Sequence, residues 1–488
     1  MPDWTIQDLL SAVCGTLLSD SQERHAALTG FSIDSRTIQP GEAFFAIKGD
    51  TFDGHAFIES AVKRGAGAIV ANEFPPSVTS RKTPKIAETA KTAKTANQET
   101  CVQECALIHV TGDPLEALQA AAKWHRNRHK ARFVGVTGSN GKTTTKEMLS
   151  HLFSSVSKAW ATSGNLNNHI GLPLNLVRIP CNMETGIIEM GMNHTGEIRF
   201  LAEIAKPRDA LITNIGPAHI GILGSLQNIA LAKAEILEAL PADGFAVLPG
   251  DDQYLSVLKT KTVAHIVTFG FGAGNDVAGR NLLMTATGLE LDVTYRGQSE
   301  RLRIPLLGQH NALNALAALA MFVSHGNRLS EGVKRMCAFK PVSARLESHD
   351  IDGLRVILDC YNANPASMQG AIEFLAVCPG RRIAVLGDMR ELGEQGSELH
   401  RKLGLHVASA GINHLVAVGE LSQEIAEAAL QAGMGGDVVH PCRDTTDASK
   451  LLATLMRKGD TILLKASRGM HFEKIVKEIW PALKMDLH

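Results

Sequence analysis

At 488 residues the chain is too long for one ordinary hydrophobic core, and the length suggests about three domains. Its 49 lysines and arginines nearly cancel its 50 aspartates and glutamates, so no global basic field points to nucleic acid. No run approaches the ~20 apolar residues that span a bilayer, Met1-Pro2-Asp3-Trp4-Thr5 lacks the features of a signal peptide, and the eight scattered cysteines fit reduced thiols. A cytoplasmic monomer acting on small molecules is expected, with no nucleic acid and no membrane insertion.

The first 112 residues carry strand-like pieces at Ala43–Ile47 and Gly67–Ala71, separated by a helical pattern from Phe57 to Arg64, and predict a small α/β domain. From about 75 to 105 a Lys/Thr/Ala-rich tract has little to bury and predicts a disordered surface insertion. A helix over Pro114–Arg128 opens a central domain expected to span 113–341. From Arg132 onward strands and helices alternate, with Ile187–Met190 and Ala210–Asn214 as buried strands and Thr195–Ala205 as the helix between them, which is parallel α/β patterning. A β-rich stretch, Leu289–Tyr295 and Leu302–Leu306, precedes an alanine-rich helix over Asn311–Val323. Pro341 marks the next boundary. Within 342–488 five apolar strands, Leu354–Asp359, Ile383–Gly387, Leu415–Gly419, Val438–His440 and Thr461–Lys465, alternate with helical patterns, so the last domain is expected to be doubly wound and Rossmann-like.

The segment Phe133-Val134-Gly135-Val136-Thr137-Gly138-Ser139-Asn140-Gly141-Lys142-Thr143-Thr144 sets a glycine-rich turn between a short apolar strand and a helix. Gly138 and Gly141 let backbone N–H groups approach oxyanions without a Cβ clash, Lys142 reaches terminal phosphates, and the Thr143 hydroxyl suits a Mg²⁺ ion beneath them. ATP is the expected ligand. The spacing departs from G-x-x-x-x-G-K-[ST], because Val136 stands at the first glycine position.

Polar residues end two further strands of this domain, where open α/β sheets place their ligands. Glu189 ends one, and His219, in Asn214-Ile215-Gly216-Pro217-Ala218-His219, follows another across a turn. Each alone is equally a cap, a turn residue or a surface histidine; beside a phosphate loop they become candidate Mg²⁺ ligands. Lys233 lies in the apolar helical stretch Ile229-Ala230-Leu231-Ala232-Lys233-Ala234-Glu235-Ile236-Leu237, an expensive place for a bare ammonium. It is either a snorkelling or ion-paired lysine, or an amine whose pKa burial lowers until it can react with CO₂ to form a carbamate.

Thr137 to Thr144, Glu189-Met190-Gly191-Met192, Asn214 to His219, Lys233, His310-Asn311-Ala312-Leu313-Asn314 and Arg345 together resemble the ordered signature of the Mur ligases. These are ATP-dependent amide ligases of peptidoglycan precursor synthesis, and the resemblance covers essentially the whole chain. It implies an ATP site of Gly138, Ser139, Asn140, Gly141, Lys142, Thr143, Thr144, Asn311 at the adenine, and Arg345 and Asp359 on phosphate and ribose. It implies two Mg²⁺ ions held by Thr143, Glu189, His219 and a carbamylated Lys233, and catalytic roles for Lys142, Lys233, His219 and Arg345. Ser32 to Arg36, Pro40 to Ala46, Lys48-Gly49 and Phe52-Asp53-Gly54-His55 resemble the family's uridine-diphosphate-binding domain, which implies substrate contacts from Ser35, Arg36, Lys48, Asp53 and His55. Thr162 to Gly171, with Asn165 and Asn168, and Asp359-Cys360-Tyr361-Asn362-Ala363-Asn364-Pro365 are similar to the members that add D-alanyl-D-alanine to UDP-MurNAc-tripeptide. The Asp-Asn-Pro-Arg tetrapeptide of the diaminopimelate-adding members is missing from the sequence. A folylpolyglutamate-synthase-like ligase and a non-enzymatic nucleotide-binding switch remain as alternatives. The first would lack the motifs before residue 60, and the second would leave Glu189, His219 and Lys233 without a purpose.

Overall fold

The computed structural model describes residues 3–18, 24–49, 52–79, 105–285, 288–340 and 346–483. Arg345 and the tract 80–104, where most of the predicted insertion falls, lie outside the described residues. The chain forms two compact units, one of residues 1–131, 166–186 and 203–206 and another of 132–165, 187–202 and 207–488.

In the first unit a five-stranded sheet runs in the order Thr16–Leu17, Ala106–His109, Ala68–Ala71, Glu42–Phe45, Gly30–Ser32, parallel except for Thr16–Leu17. The strand Ala68–Ala71 is buried along its whole length, as the near-continuous apolar run predicts. The expected 57–64 helix is the α-helix Ile58–Lys63, entered through a 3₁₀ turn, Gly54–Phe57, whose His55 N–H is capped by Asp53. Asp113 and Pro114 start the helix Pro114–Arg128, with the Asp113 carboxylate accepting from Leu115 N–H at 2.8 Å. That helix buries Ala117, Leu118, Ala121, Ala122 and His125, and His125 Nε2 meets the Ile179 carbonyl at 2.9 Å. Trp4 fills the same core, 5.0 Å from the rings of Phe31 and Trp124, with its indole N–H donating to Val177 O. Helix 114–128, expected to open the central domain at 113, thus belongs to the first unit, which takes in residues up to 131.

The second unit holds two sheets. The larger has nine strands, in the order Gln298–Ile304, Gly288–Tyr295, Val277–Thr285, His265–Gly270, Phe245–Pro249, Asp209–Ile212, Arg132–Thr137, Thr185–Glu189, Ala159–Ala161. Its middle is parallel, and the β-rich stretch joins it as an antiparallel edge of three strands, the last two joined by a turn at Arg296 and Gly297, both at positive φ. The helix Gln309–Ser324 is buried from Ala315 to Val323 and packs with Met148, Leu149, Leu152 and Phe153 of the helix after the phosphate loop. Its alanines allow that closeness.

The smaller sheet runs Glu347–Ile351, Leu354–Asp359, Thr461–Lys465, Arg382–Gly387, His414–Val418, Val439–Cys442. The five predicted strands are present and parallel. A sixth, Glu347–Ile351, adds an antiparallel edge through the turn at Asp352 and Gly353, both at positive φ. The architecture is α/β throughout, with three domains each built on its own sheet.

Candidate functional site

The strand Arg132–Thr137 and the helix Lys142–Phe153 bracket the phosphate loop. At Gly138, φ is 150°, and a Cβ would fall 1.8 Å from Thr213 Oγ1; at Gly141, φ is 79°, and a Cβ would fall 2.2 Å from Asn314 Oδ1. Only glycine fits either position. The loop is braced from the neighbouring strand end. Asn214 O accepts from Ser139 N–H (3.0 Å), Asn214 Oδ1 accepts from Asn140 N–H (3.0 Å), and Thr213 Oγ1 and Asn214 Nδ2 both donate to Asn140 O. The Ser139 hydroxyl donates to Gly216 O and accepts from Gly216 N–H, both at 2.8 Å. Lys142 folds back over the loop, its Nζ 2.8 Å from Gly138 O. Thr143 and Thr144 are buried in the first helical turn, so the loop's shape is set before any phosphate arrives.

Glu189 ends the strand next to the phosphate-loop strand and is 2% exposed, with its backbone N–H held by Thr162 Oγ1 at 3.0 Å. Thr162 is in turn anchored by the fully buried Lys146, whose Nζ donates to Thr162 O at 2.6 Å. His219 adopts a left-handed conformation (φ 61°) before the helix Ile220–Leu223, and its Nδ1 stands 2.9 Å from Glu391 Oε2. A hydrogen bond from His219, against a lesser opposing effect of burial, holds the Glu391 carboxyl below its usual range. Lys233 lies on the helix Leu226–Glu238, 2% exposed, with no hydrogen bond or ion pair from its amine among the described residues. Burial first, and the Lys142 charge second, push its pKa well below that of an ordinary lysine. Glu235, two residues on, does not neutralise it: that carboxylate accepts from Gly196 and Arg199 N–H and caps another helix.

Asn311 is buried, donating to Leu307 O at 2.8 Å and accepting from Asn314 Nδ2 at 3.0 Å. Asp359 ends its strand in an ion pair with the buried Lys465, Nζ to Oδ2 2.5 Å. Lys142 and Thr143 thus open the helix after one strand, Glu189 ends the strand beside it, His219 follows the strand Asp209–Ile212 across a turn, Lys233 lies on the helix Leu226–Glu238, and Asp359 ends a strand of the other sheet. Asn165, in the second unit, is exposed.

The candidate substrate residues of the first unit are built differently. Ser35 is buried, whereas the Arg36 side chain is 86% exposed and its fork grips Asp34, Nη2 to Oδ2 2.7 Å. Lys48 pairs with Asp53 through the backbone, and His55 has Nδ1 on Asp53 and Nε2 on Asn72, each at 2.7 Å. Asn168 caps the helix Gly171–Val177, with Oδ1 accepting from Gly171 N–H at 2.8 Å.

Sequence reading missed Thr213, Asn314, Asn364 and Glu391 as site neighbours. Asn314, one helical turn beyond Asn311, and Asn364, within the motif Asp359 to Pro365, carried a signal that was not followed to the loop; Glu391 carried none.

Three family descriptions match the chain in order: the Mur ligase family catalytic domain over 27–125, the Mur ligase middle domain over 136–322, and the Mur ligase glutamate ligase domain over 344–468. The UDP-N-acetylmuramoyl-tripeptide–D-alanyl-D-alanine ligase of Bacillus subtilis is 34% identical, covering 97% of this chain and 98% of the relative. The crystal structure of MurF from Acinetobacter baumannii matches with a TM-score of 0.83 and 29% identity, covering 98% of this chain and 99% of that one. MurF ligase from Thermotoga maritima in complex with ADP matches at 0.75 and 27%, covering 92% and 96%.

Proposed function

Because the chain belongs to the Mur ligase family, we propose that it joins D-alanyl-D-alanine to UDP-N-acetylmuramoyl-tripeptide with ATP, releasing ADP and phosphate. The end-to-end match to a relative of that specificity carries the reading. The braced phosphate loop and the buried lysine behind it supply chemistry to suit. A carboxylate is a poor electrophile, so the tripeptide's terminal oxygen attacks the ATP γ-phosphorus and ADP leaves, giving an acyl phosphate. The dipeptide's free amine then attacks the acyl carbon, phosphate departs, and the nitrogen loses its extra proton. Loop N–H groups hold the phosphates and Lys142 meets the charge that grows on them.

Mg²⁺ fits the donors present. Thr143 offers a hydroxyl, Glu189 a buried carboxylate at a strand end and His219 an imidazole, while among the described residues no group of three or more His, Cys, Asp or Glu forms a cage. Thr143, Glu189 and His219 would hold such an ion, and it would supply positive charge to lower the charge on the transferring phosphoryl group. Asn311, Arg345 and Asp359 on the nucleotide, and Ser35, Arg36, Lys48, Asp53, His55, Asn165 and Asn168 on the muramoyl substrate, belong to the same reading. So do the domain limits 1–112, 113–341 and 342–488, a cytoplasmic location and a monomeric state. Among the described residues no helix is long and apolar enough to cross a membrane.

Lys233 is the carbamate in this scheme. Its neutral amine adds to CO₂, an N–C bond forms, and a proton passes to solvent, leaving an anion in place of a buried neutral amine. Electron density at Lys233 from crystals grown with bicarbonate is expected to extend past Nζ by a carboxylate; a bare amine overturns this step. For the overall reaction, phosphate release from ATP and Mg²⁺ is expected to require both the muramoyl tripeptide and D-alanyl-D-alanine. Release that ignores either one defeats the reading.

A further inference from the structure

The phosphate loop is touched from the other sheet of its own unit. Asn364 is the N-cap of the helix Pro365–Ala376: its Oδ1 accepts from Ser367 N–H at 3.0 Å, and its own N–H is returned to Ser367 Oγ. That capping box uses the oxygen alone. The remaining amide nitrogen, Nδ2, donates to Asn140 Oδ1 in the middle of the phosphate loop. Asn140 has its backbone N–H and carbonyl tied to Thr213 and Asn214, so its side chain is the part of the loop free to answer a second domain. Two more contacts lie on the same face. Glu391 reaches His219, and a Cβ on Gly221 would stand 2.7 Å from Gly393 N, a backbone approach that tolerates no side chain.

We propose that Asn364 is a positioning residue for ligation: through Asn140 it registers the C-terminal sheet domain on the phosphate loop, so that groups from both domains meet the transferring phosphoryl at one distance. It touches no reacting atom and acts through Asn140. The inference rests on the ligase reading for its effect on turnover but not for the contact itself.

Asn364→Ser separates the two jobs of this side chain. Serine caps a helix about as well as asparagine, and its shorter hydroxyl cannot reach Asn140. In the full-length protein, Asn364→Ser is expected to leave the melting temperature and the Kd for ADP within about twofold of wild type while kcat falls about tenfold, the factor one net hydrogen bond commands. Hydrogen exchange gives a readout that needs no turnover. Asn364→Ser is expected to raise exchange across 138–145 without loosening 365–376, and Asn140→Ala to give the same kcat loss, with the double variant no worse than either single one. Wild-type kcat in Asn364→Ser, unchanged loop exchange, or losses that multiply in the double variant would overturn the proposal. If the wild-type protein does not ligate, the ligase reading fails, while the exchange comparison still decides whether Asn364 holds the loop.

Discussion

Two of the arginine–aspartate forks among the described residues, Arg132 with Asp209 and Arg36 with Asp34, do opposite work. Arg132 grips Asp209 behind the phosphate-loop strand, Nε to Oδ2 2.5 Å and Nη2 to Oδ1 2.6 Å, and Asp209 is fully buried, also accepting from Phe245 N–H and facing His325 Nε2 at 3.1 Å. Arg36 grips Asp34 in the first unit, with the arginine 86% exposed. The buried fork has both carboxylate oxygens satisfied by protein and locks adjacent strands together. The exposed one leaves most of its guanidinium to solvent, held at a fixed angle, as a group that presents charge must be. The same contrast runs through the two proposed sites: the phosphate loop is backbone shaped by packing, and the candidate substrate residues of the first unit are side chains arrayed on turns.

The largest expected effect breaks the brace. Burial alone would raise the Asp209 pKa, yet hydrogen bonds from Arg132 and His325 outweigh it and hold the carboxyl below its usual range. Removing this carboxylate by Asp209→Ala strands a partly buried arginine and the Phe245 N–H, and is expected to cost about 3–5 kcal/mol of stability. Calorimetry checks it. A melting temperature close to wild type would mean that the strands do not depend on the fork.

Next comes Lys142→Ala, which leaves in place the braces that Thr213, Asn214 and Gly216 give the loop. Its kcat is expected to fall ~10²-fold or more with an unchanged melting temperature, as when other preorganised charge stabilisers are removed. Turnover near wild type in a folded variant would take Lys142 out of the chemistry.

Lys233→Met sharpens the contrast between stability and function. The depressed pKa of Lys233 means that the unfolded chain binds the proton the folded one rejects, so its cost is absent above the ordinary lysine range and grows as pH falls toward the depressed value. An isosteric apolar side chain removes that cost. Lys233→Met is expected to abolish ligation while stabilising the protein by about 1–3 kcal/mol at neutral pH. Loss of stability would show that the amine has a structural partner.

How much of this was legible follows the same division. The phosphate loop could be read residue by residue because its function is local: glycines at Gly138 and Gly141, then Lys142, all within one turn. The parallel strands of the C-terminal sheet were legible as apolar runs, whereas Phe245–Pro249 and His265–Gly270, parallel as well, were not singled out. The strand Val277–Thr285 was not legible, since its register shifts between Arg280 and Leu283 and Asn281 takes a positive φ, which breaks the alternation. The edge Glu347–Ile351 was not either, because Glu347, Ser348, His349 and Asp350 offer no apolar face. Contacts such as Asn364 with Asn140, 224 positions apart, leave no mark in a single sequence at all.

The smallest effect on stability is expected from the exposed fork. The Arg36 hydrogen bond, against a lesser opposing effect of burial, holds the Asp34 carboxyl below its usual range. Its contribution is therefore full above the ordinary carboxylate range and is lost as pH falls through the depressed value, but water competes for both partners and screens the pair. Asp34→Asn is expected to move the melting temperature at neutral pH by less than about 2 °C. Arg36→Ala should be equally silent in a melt, yet raise KM for the muramoyl substrate about tenfold, the cost of one charge-assisted phosphate contact, with KM for ATP unchanged. A fall in melting temperature approaching that of Asp209→Ala would make the Arg36 fork a second brace. An equal rise in both KM values would place the arginine's influence on the fold rather than on the uridine nucleotide, because only a direct contact confines the loss to one substrate.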